Sequence, residues 1–198
     1  MSSRLYRTFI AVTLDAPIRR ALADCQERMR QAGARLRWVR PEHLHVTLRF
    51  LGELTLAQVA RATVAAREAA AAVVPFEIAL GGLGVFPGPK RPQVVWIGTE
   101  EGGEALEHLA ATVRAALTRH GFPDDPRPFR PHVTLARIKD ERHWGDVVRA
   151  IEAHREVHIG RQRVTRIAVV DSRLTPEGPI YTVREEVPLG QKLNSSAV

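Results

Sequence analysis

The chain has 198 residues, of which 44% are hydrophobic and 26% charged, a composition that suits one globular domain and excludes a mainly disordered protein. No apolar run is long enough to span a membrane, and the first residues lack a secretory signal. The single cysteine, Cys25, cannot form an internal disulfide. We therefore expect a cytoplasmic protein without a membrane partner. Lys and Arg number 29 against 22 Asp and Glu, and this formal net charge of +7 favours an anionic partner.

Apolar patterning and turn residues predict nine strands and four helices. In chain order they are strand 8–14, helix 17–31, strands 36–39 and 43–51, helix 56–72, strands 76–83 and 93–98, helix 101–120, strand 132–138, helix 141–153, and strands 157–160, 164–172 and 180–187. Thr55 is the expected N-cap of the second helix. Because no regular βαβ alternation is present, the order indicates an α+β fold with largely antiparallel sheets.

The cations of the chain are almost all arginine. Only Lys90, Lys139 and Lys192 are lysines. Codon usage could produce the same excess, so clustering is more informative than number. Arg28, Arg30, Arg35, Arg37 and Arg40 form one cluster, and Arg127, Arg130, Arg137 and Lys139 form another. Since guanidinium groups match phosphate oxygens and stack on bases, the clusters favour a polyanion such as a nucleic acid.

The tetrapeptide His-Val-Thr-Leu occurs twice, once in each half of the chain, beginning at His45 and at His132. Such repetition is what an internal duplication leaves behind. Side chains alternate across a strand, so the histidine and threonine of each copy share one face, and the valine and leucine share the other. If an approximate two-fold axis relates the halves, His45, Thr47, His132 and Thr134 converge on one cleft.

Two imidazoles and two hydroxyls around one cleft suit phosphodiester chemistry. Near neutral pH one imidazole can be neutral and take a proton from water, while the other is protonated and gives a proton to a leaving oxygen. Threonine hydroxyls and nearby cations can hold the phosphate oxygens. This chemistry needs no metal and no cofactor, and a strained 2′,3′-cyclic phosphate on ribose is a suitable substrate.

The same residues can also be interpreted as structural or surface residues without a catalytic role. A single His-x-Thr in a strand is usually structural, and the repetition is what favours a site. His43 and His45 share a predicted strand face, but no third metal ligand accompanies them, so His43 is expected to be exposed or to support the site. The glycines at 81–84 lack the spacing of a nucleotide-binding loop. Surface positions are expected for His108, His120, His143, His154 and His158.

Several segments together resemble a known family. They are Arg-Thr-Phe-Ile-Ala-Val from residue 7, His-Leu-His-Val-Thr-Leu-Arg-Phe-Leu-Gly at 43–52, Val-Val-Trp-Ile-Gly at 94–98, Phe-Arg-Pro-His-Val-Thr-Leu-Ala-Arg at 129–137, and the late strand containing Ser172. The chain resembles the 2H phosphoesterase superfamily, specifically the bacterial RNA 2′,3′-cyclic phosphodiesterases, also called 2′-5′ RNA ligases. The resemblance covers residues 7–188.

The resemblance implies a bilobal α+β fold in which two pseudo-two-fold-related lobes, with largely antiparallel sheets flanked by helices, enclose the active-site cleft. It implies one domain over residues 1–190 with one HxTx motif per lobe, and a flexible tail at 191–198. It also implies hydrolysis of 2′,3′-cyclic phosphate ends of RNA to 2′-phosphomonoesters, without a metal or cofactor. By similarity, His45 is the proton donor and His132 the proton acceptor.

The same resemblance implies that Thr47, Thr134 and Arg137 bind the phosphate and that Phe50 lines the base pocket. Arg37 and Arg130 lie just upstream of the two motif strands, so we expect them to rim the cleft and bind RNA. We expect a monomer. Three alternatives stay open: 2′-5′ RNA ligation by the reverse reaction, a non-catalytic module that binds RNA ends, and turnover of small cyclic nucleotides.

Overall fold

The computed structural model describes residues 4–31, 36–138, 144–176 and 178–191, and these contain nine strands and four α-helices. The strands are β1 (Tyr6–Thr13), β2 (Arg37–Trp38), β3 (His45–Leu54), β4 (Phe76–Phe86), β5 (Val94–Glu101), β6 (Val133–Arg137), β7 (His158–Val164), β8 (Arg166–Thr175) and β9 (Gly178–Pro188). The helices are α1 (Ala16–Gln31), α2 (Leu56–Ala71), α3 (Gly103–Arg119) and α4 (Trp144–Ala153).

All strands belong to one antiparallel sheet in the order β7-β4-β5-β6-β3-β1-β8-β9, with β2 paired to β6 as well. We call β3-β1-β8-β9 the first half of the sheet, and β7-β4-β5-β6 with β2 the second half. The two motif strands, β3 and β6, are neighbours in the middle and pair at Val46 and Val133. The predicted α+β fold class is therefore confirmed. Within the described residues, no helix combines the length and hydrophobicity that crossing a membrane requires.

The helices cover the two halves separately. Helices α2 and α3 pack on each other and on the first half, while α1 packs against β7 and α4 against β4 in the second half. Helix α2 begins with the predicted cap: Thr55 accepts a hydrogen bond from the Gln58 backbone N–H (3.3 Å), and the Gln58 side chain accepts one from the Thr55 N–H (2.8 Å). This reciprocal capping box satisfies two backbone donors at the helix start.

The apolar residues of the repeated tetrapeptide fix the faces of the motif strands. Val46, Leu48, Val133 and Leu135 are all buried in the main hydrophobic core. Burying each of these side chains contributes roughly 1.5–3 kcal/mol to stability. A shift of either strand by one residue would put the valine and leucine on the other face, so this burial specifies which face the histidines and threonines occupy.

Two sequence predictions need correction. The first motif strand does not begin at His43, because residues Pro41–His43 form a 3₁₀ turn in which the His43 N–H donates to the Arg40 carbonyl (2.8 Å). Pro41, with its fixed φ, suits the first position of such a turn. Strand β4 also continues to Phe86, beyond residue 83 where the predicted strand ends. A Cβ at Gly84 would lie only 2.2 Å from the Trp96 indole, so glycine is what lets that ring cross the strand.

Some predicted features fall outside the described residues, namely Arg35, Lys139, His143 and most of the tail, 192–198. The predicted helix at 141–153 is described only from Trp144 onward. The extent of the domain, residues 1–190, and the tail at 191–198 stay predictions.

Candidate active site

One cavity of about 460 Å³ is lined by residues from both halves of the sheet. Seven of the eight predicted site residues line it: Arg37, His45, Thr47, Phe50, His132, Thr134 and Arg137. The eighth, Arg130, does not, and it contacts the site only through its backbone carbonyl, at His132. The alternation of β3 and β6 thus brings both histidines and both threonines to one place.

The two histidines are oriented by the same backbone contact. His45 donates from Nδ1 to the carbonyl of His43 (2.7 Å), and His132 donates from Nδ1 to the carbonyl of Arg130 (2.7 Å). A carbonyl oxygen can only accept, so Nδ1 carries the hydrogen in both rings. In each ring this leaves Nε2 as the nitrogen that can gain or lose a proton.

Aromatic side chains hold each imidazole in place, and they differ between the two halves. The His45 ring stacks on Phe9 with centroids 4.8 Å apart and meets the edge of Tyr181 at 5.6 Å. The His132 ring meets the edge of Phe86 at 5.1 Å. The Nε2 atom of His45 also lies 2.9 Å from the Thr47 hydroxyl, which donates to it when the ring is neutral. Both imidazoles are therefore fixed before any substrate binds.

Burial keeps both imidazoles closer to their neutral forms. For His45, burial lowers the pKa most, the hydrogen bond to the His43 carbonyl raises it, and the charges of His43 and His132 lower it further. For His132, burial lowers the pKa most, the Arg130 carbonyl raises it, and the positive charge of Arg137 lowers it. An anion bound between the rings would act in the opposite direction and favour an imidazolium.

The described residues that line the cavity include several cations and no acidic side chain. Four arginines and three histidines are among its described lining residues, and no Asp or Glu is. Arg37 and Arg137 are Cα partners across β2 and β6, so both side chains leave the same face of the sheet. Neither forms an ion pair with a carboxylate in the described part of the chain. Uncompensated cations in a concave site attract an anion, and phosphate suits guanidinium geometry.

Arg7, Phe9 and Tyr181 are among the lining residues that were not singled out from the sequence. Strand alternation in β1 places Arg7 and Phe9 on one face and could have suggested them. Tyr181 contacts the rings of Phe9, His43 and His45, but it does so from β9, which is separated from the motif strand β3 by β1 and β8. The residue pattern within β3 or β9 alone does not indicate that Tyr181 lies beside His45.

The other histidines differ in whether they take part in the cavity. The His43 ring lies in it, 4.5 Å from the Tyr181 ring. His120 contacts Glu68 (2.9 Å) and His158 contacts Glu100 (2.7 Å), both away from the cavity. No three His, Cys, Asp or Glu side chains in the described ranges come together as metal ligands.

The family model that describes the 2′-5′ RNA ligase superfamily matches residues 14–175 of the sequence. The chain belongs to this superfamily. A relative from Aquifex aeolicus named RNA 2′,3′-cyclic phosphodiesterase is 42% identical over 157 residues, which cover 78% of this chain and 82% of the relative. A relative of the same name from Methanothermobacter thermautotrophicus is 35% identical over 179 residues, 90% of this chain and 96% of the relative. The crystal structure of a protein from Thermus thermophilus is similar with a TM-score of 0.78 and 32% identity, over 94% of this chain and 100% of that one.

We expect His45 and His132 to titrate below the ordinary histidine pKa of 6.5 in the free protein. The variant Arg137→Gln removes a positive charge that disfavours the imidazolium of His132, so the pKa of His132 rises. The pKa of His45 should not rise with it, because burial and the charges of His43 and His132, rather than Arg137, lower that pKa. NMR titration of the imidazole ring protons measures both values in one sample. Equal shifts of the two histidines, or no shift, would contradict this account.

Proposed function

We propose that this protein hydrolyses the 2′,3′-cyclic phosphate at the end of an RNA chain to a 2′-phosphomonoester. The observation that carries the proposal is the pair of imidazoles, each with Nδ1 bound to a backbone carbonyl and Nε2 left to exchange a proton, in a cavity lined by arginines and without acidic groups among its described residues. The names of the two relatives support the same activity. The proposal includes a monomer in the cytoplasm, a reducing compartment that the single buried Cys25 suits.

The reaction is an in-line attack of water on phosphorus. Nε2 of His132 accepts a proton from the water, whose oxygen forms the new bond to phosphorus. The bond between phosphorus and the 3′ oxygen breaks, and the protonated Nε2 of His45 gives its proton to that oxygen. The products are a 2′-phosphomonoester and a free 3′ hydroxyl. The two imidazoles supply both proton transfers, which is why the proposal includes no metal ion.

The environment of the histidines supports this assignment of roles. Burial and the charge of Arg137 both favour neutral His132, which is the form a general base requires. Burial and the charges of His43 and His132 favour neutral His45 as well, so its role as proton donor depends on the bound phosphate. The anionic phosphate between the rings would raise the pKa of both, so that one proton is present on the pair when substrate is bound.

The phosphate oxygens need donors of their own. Thr47 and Thr134 line the cavity beside the two rings, and their hydroxyls can donate to the two non-bridging oxygens. Arg137 adds a full positive charge next to them. The transition state carries more negative charge on these oxygens than the substrate does, so the same contacts lower the barrier. Phe50 is the proposed base contact, and Arg37 and Arg130 are the proposed contacts to flanking RNA phosphates.

Ligation is the second candidate, because the family model bears that name and because the reverse reaction uses the same atoms. In that direction a ribose or 5′ hydroxyl replaces water as the nucleophile. One experiment separates the candidates: an RNA oligomer with a 2′,3′-cyclic phosphate end is incubated with the protein and a chelator, and its end is analysed by mass spectrometry and phosphatase digestion. Hydrolysis gives a 2′-phosphate, ligation gives a joined product, and a binding module gives neither. A 3′-phosphate product or loss of activity with chelator would overturn the proposed mechanism.

The variants His45→Ala and His132→Ala should each lower turnover by roughly 10²–10⁴-fold, because each removes one proton transfer from a shared transition state. The double variant should be scarcely slower than either single one, since the two groups act as a unit. Initial rates with the cyclic-ended oligomer measure this, and thermal melts report whether each variant is folded. His158→Ala is the control, as this exposed ring lies outside the cavity and should leave the rate unchanged. Near-normal rates in folded His45 and His132 variants would refute the proposal.

Substituting the arginine at the reacting phosphate should affect kcat, whereas substituting the arginines proposed to bind flanking phosphates should affect KM. Arg137→Gln should lower kcat by roughly 10²-fold on both an oligomer and a mononucleoside cyclic phosphate, because its charge acts on the transition state. Arg37→Gln and Arg130→Gln should instead raise KM for the oligomer and affect the mononucleoside less. Each lost phosphate contact should also flatten the log–log salt dependence of oligomer affinity by about 0.7. Equal losses on both substrates for Arg37 and Arg130 would mean that they do not bind RNA.

A further inference from the structure

A row of three polar side chains crosses the first half of the sheet, and the chemistry described above does not use it. Arg7 in β1 is the Cα partner of Ser172 in β8, and Ser172 is the partner of Tyr181 in β9. Partners in antiparallel strands point to the same face, and all three residues line the cavity. The row therefore offers a guanidinium and two hydroxyls side by side.

Within the described residues, Arg7 and Ser172 have no acceptors of their own. The next residue along β8, Asp171, points to the opposite face, where Thr8 donates to it (3.0 Å) and Arg184 pairs with it. The Cα partner of Arg7 in β3, Glu53, is exposed and forms no ion pair with it. Within the described residues Arg7 has no ion pair, and its guanidinium lies over the Phe50 ring, 4.6 Å from the centroid. The buried Ser172 forms no side-chain hydrogen bond there either. Because Ser172 lines the cavity, its hydroxyl can donate to an acceptor bound there.

The row lies beside the place of the reacting phosphate, within reach of the same nucleotide. Arg7 precedes Phe9 by two residues in β1, roughly 7 Å of strand, and the Phe9 ring stacks on His45. Tyr181 also connects the two places, because its ring contacts His45 while its backbone is in register with the row. Burial raises the pKa of the Tyr181 phenol, and the charges of Arg137 and Arg7 both act against this, so the phenol is in the field of both guanidiniums.

We propose that Arg7 and Ser172, beside Tyr181, bind a second phosphate of the substrate, the one attached to the 5′ oxygen of the terminal nucleotide. In RNA this group is the phosphodiester that joins the last nucleotide to the one before it. This phosphate supplies an anionic partner for the Arg7 guanidinium. Its oxygens can also accept a hydrogen bond from the Ser172 hydroxyl. The inference rests on the proposed function, because it assumes that the cyclic phosphate lies between His45 and His132.

The test compares two ligands that differ only in the 5′-phosphate, adenosine 2′-monophosphate and adenosine 2′,5′-bisphosphate. Calorimetry with the full chain should show the bisphosphate binding about tenfold or more tightly, as expected for charge-assisted hydrogen bonds to a guanidinium. Arg7→Gln should bring this ratio close to one and leave affinity for the monophosphate unchanged. Ser172→Ala should reduce the ratio by a few-fold.

Arg173→Gln is the matched control. It removes the same charge from the residue next to Ser172, but Arg173 is exposed and does not line the cavity, so the ratio should be retained. The inference is overturned if the wild-type chain binds both ligands equally, if Arg7→Gln weakens both equally by releasing Phe50, or if Arg173→Gln also lowers the ratio.

Turnover separates this inference from the proposed function. Adenosine 2′,3′-cyclic phosphate is compared with and without a 5′-phosphate. Hydrolysis of both with equal KM would overturn the second phosphate site alone. If neither nucleotide nor the cyclic-ended RNA is hydrolysed while the Arg7-dependent binding ratio is present, the proposed function fails and the phosphate site stands.

Discussion

The pairing of Val46 with Val133 is the contact on which the site depends. It joins the two halves of the sheet at their centre, and both valines are fully buried. Side chains alternate along both strands, so His45 and Thr47 in β3 and His132 and Thr134 in β6 lie on the face opposite the valines. Each half thus contributes one imidazole and one hydroxyl to the cavity. A phosphate bound there, as proposed, would contact both halves at once, so the geometry of the cavity depends on the pairing of these two strands.

The first motif strand also holds the loop that precedes the second motif. Arg49 in β3 donates to the Pro123 carbonyl (2.8 Å) and pairs with Asp125 (2.9 Å), and the two side chains of this ion pair are only 14% and 21% exposed. The same loop continues to Arg130, whose carbonyl orients His132. Water screens this partly buried pair less than an exposed one, although burial also desolvates the Arg49 guanidinium and lowers its pKa. The ring orientation of the second histidine is therefore supported from the strand that carries the first.

The sequence predicted those parts of the site that depend on strand alternation. His45 and His132 face the cavity because Val46 and Val133 must be buried, and this pattern is contained in four consecutive residues. The placement of His43 was not predictable in the same way, because a turn at Pro41 replaced the first two residues of the expected strand. Tyr181 could not be found from local patterns at all. Its contact with His45 depends on the strand order β3-β1-β8-β9, which long-range pairing decides.

The positions of the acidic residues determine which arginines have their charge compensated. Outside the cavity, carboxylates pair with arginines, as in Arg67 with Glu185 and Arg119 with Glu68 (both 2.5 Å). The described lining of the cavity contains no carboxylate, so the charge of Arg137 stays uncompensated there. That positive field attracts phosphate, and it also disfavours the charged form of His132. A bound phosphate offsets the field and makes an imidazolium more favourable. In the proposed mechanism, substrate binding and the protonation state of the histidines are therefore coupled through the same charges.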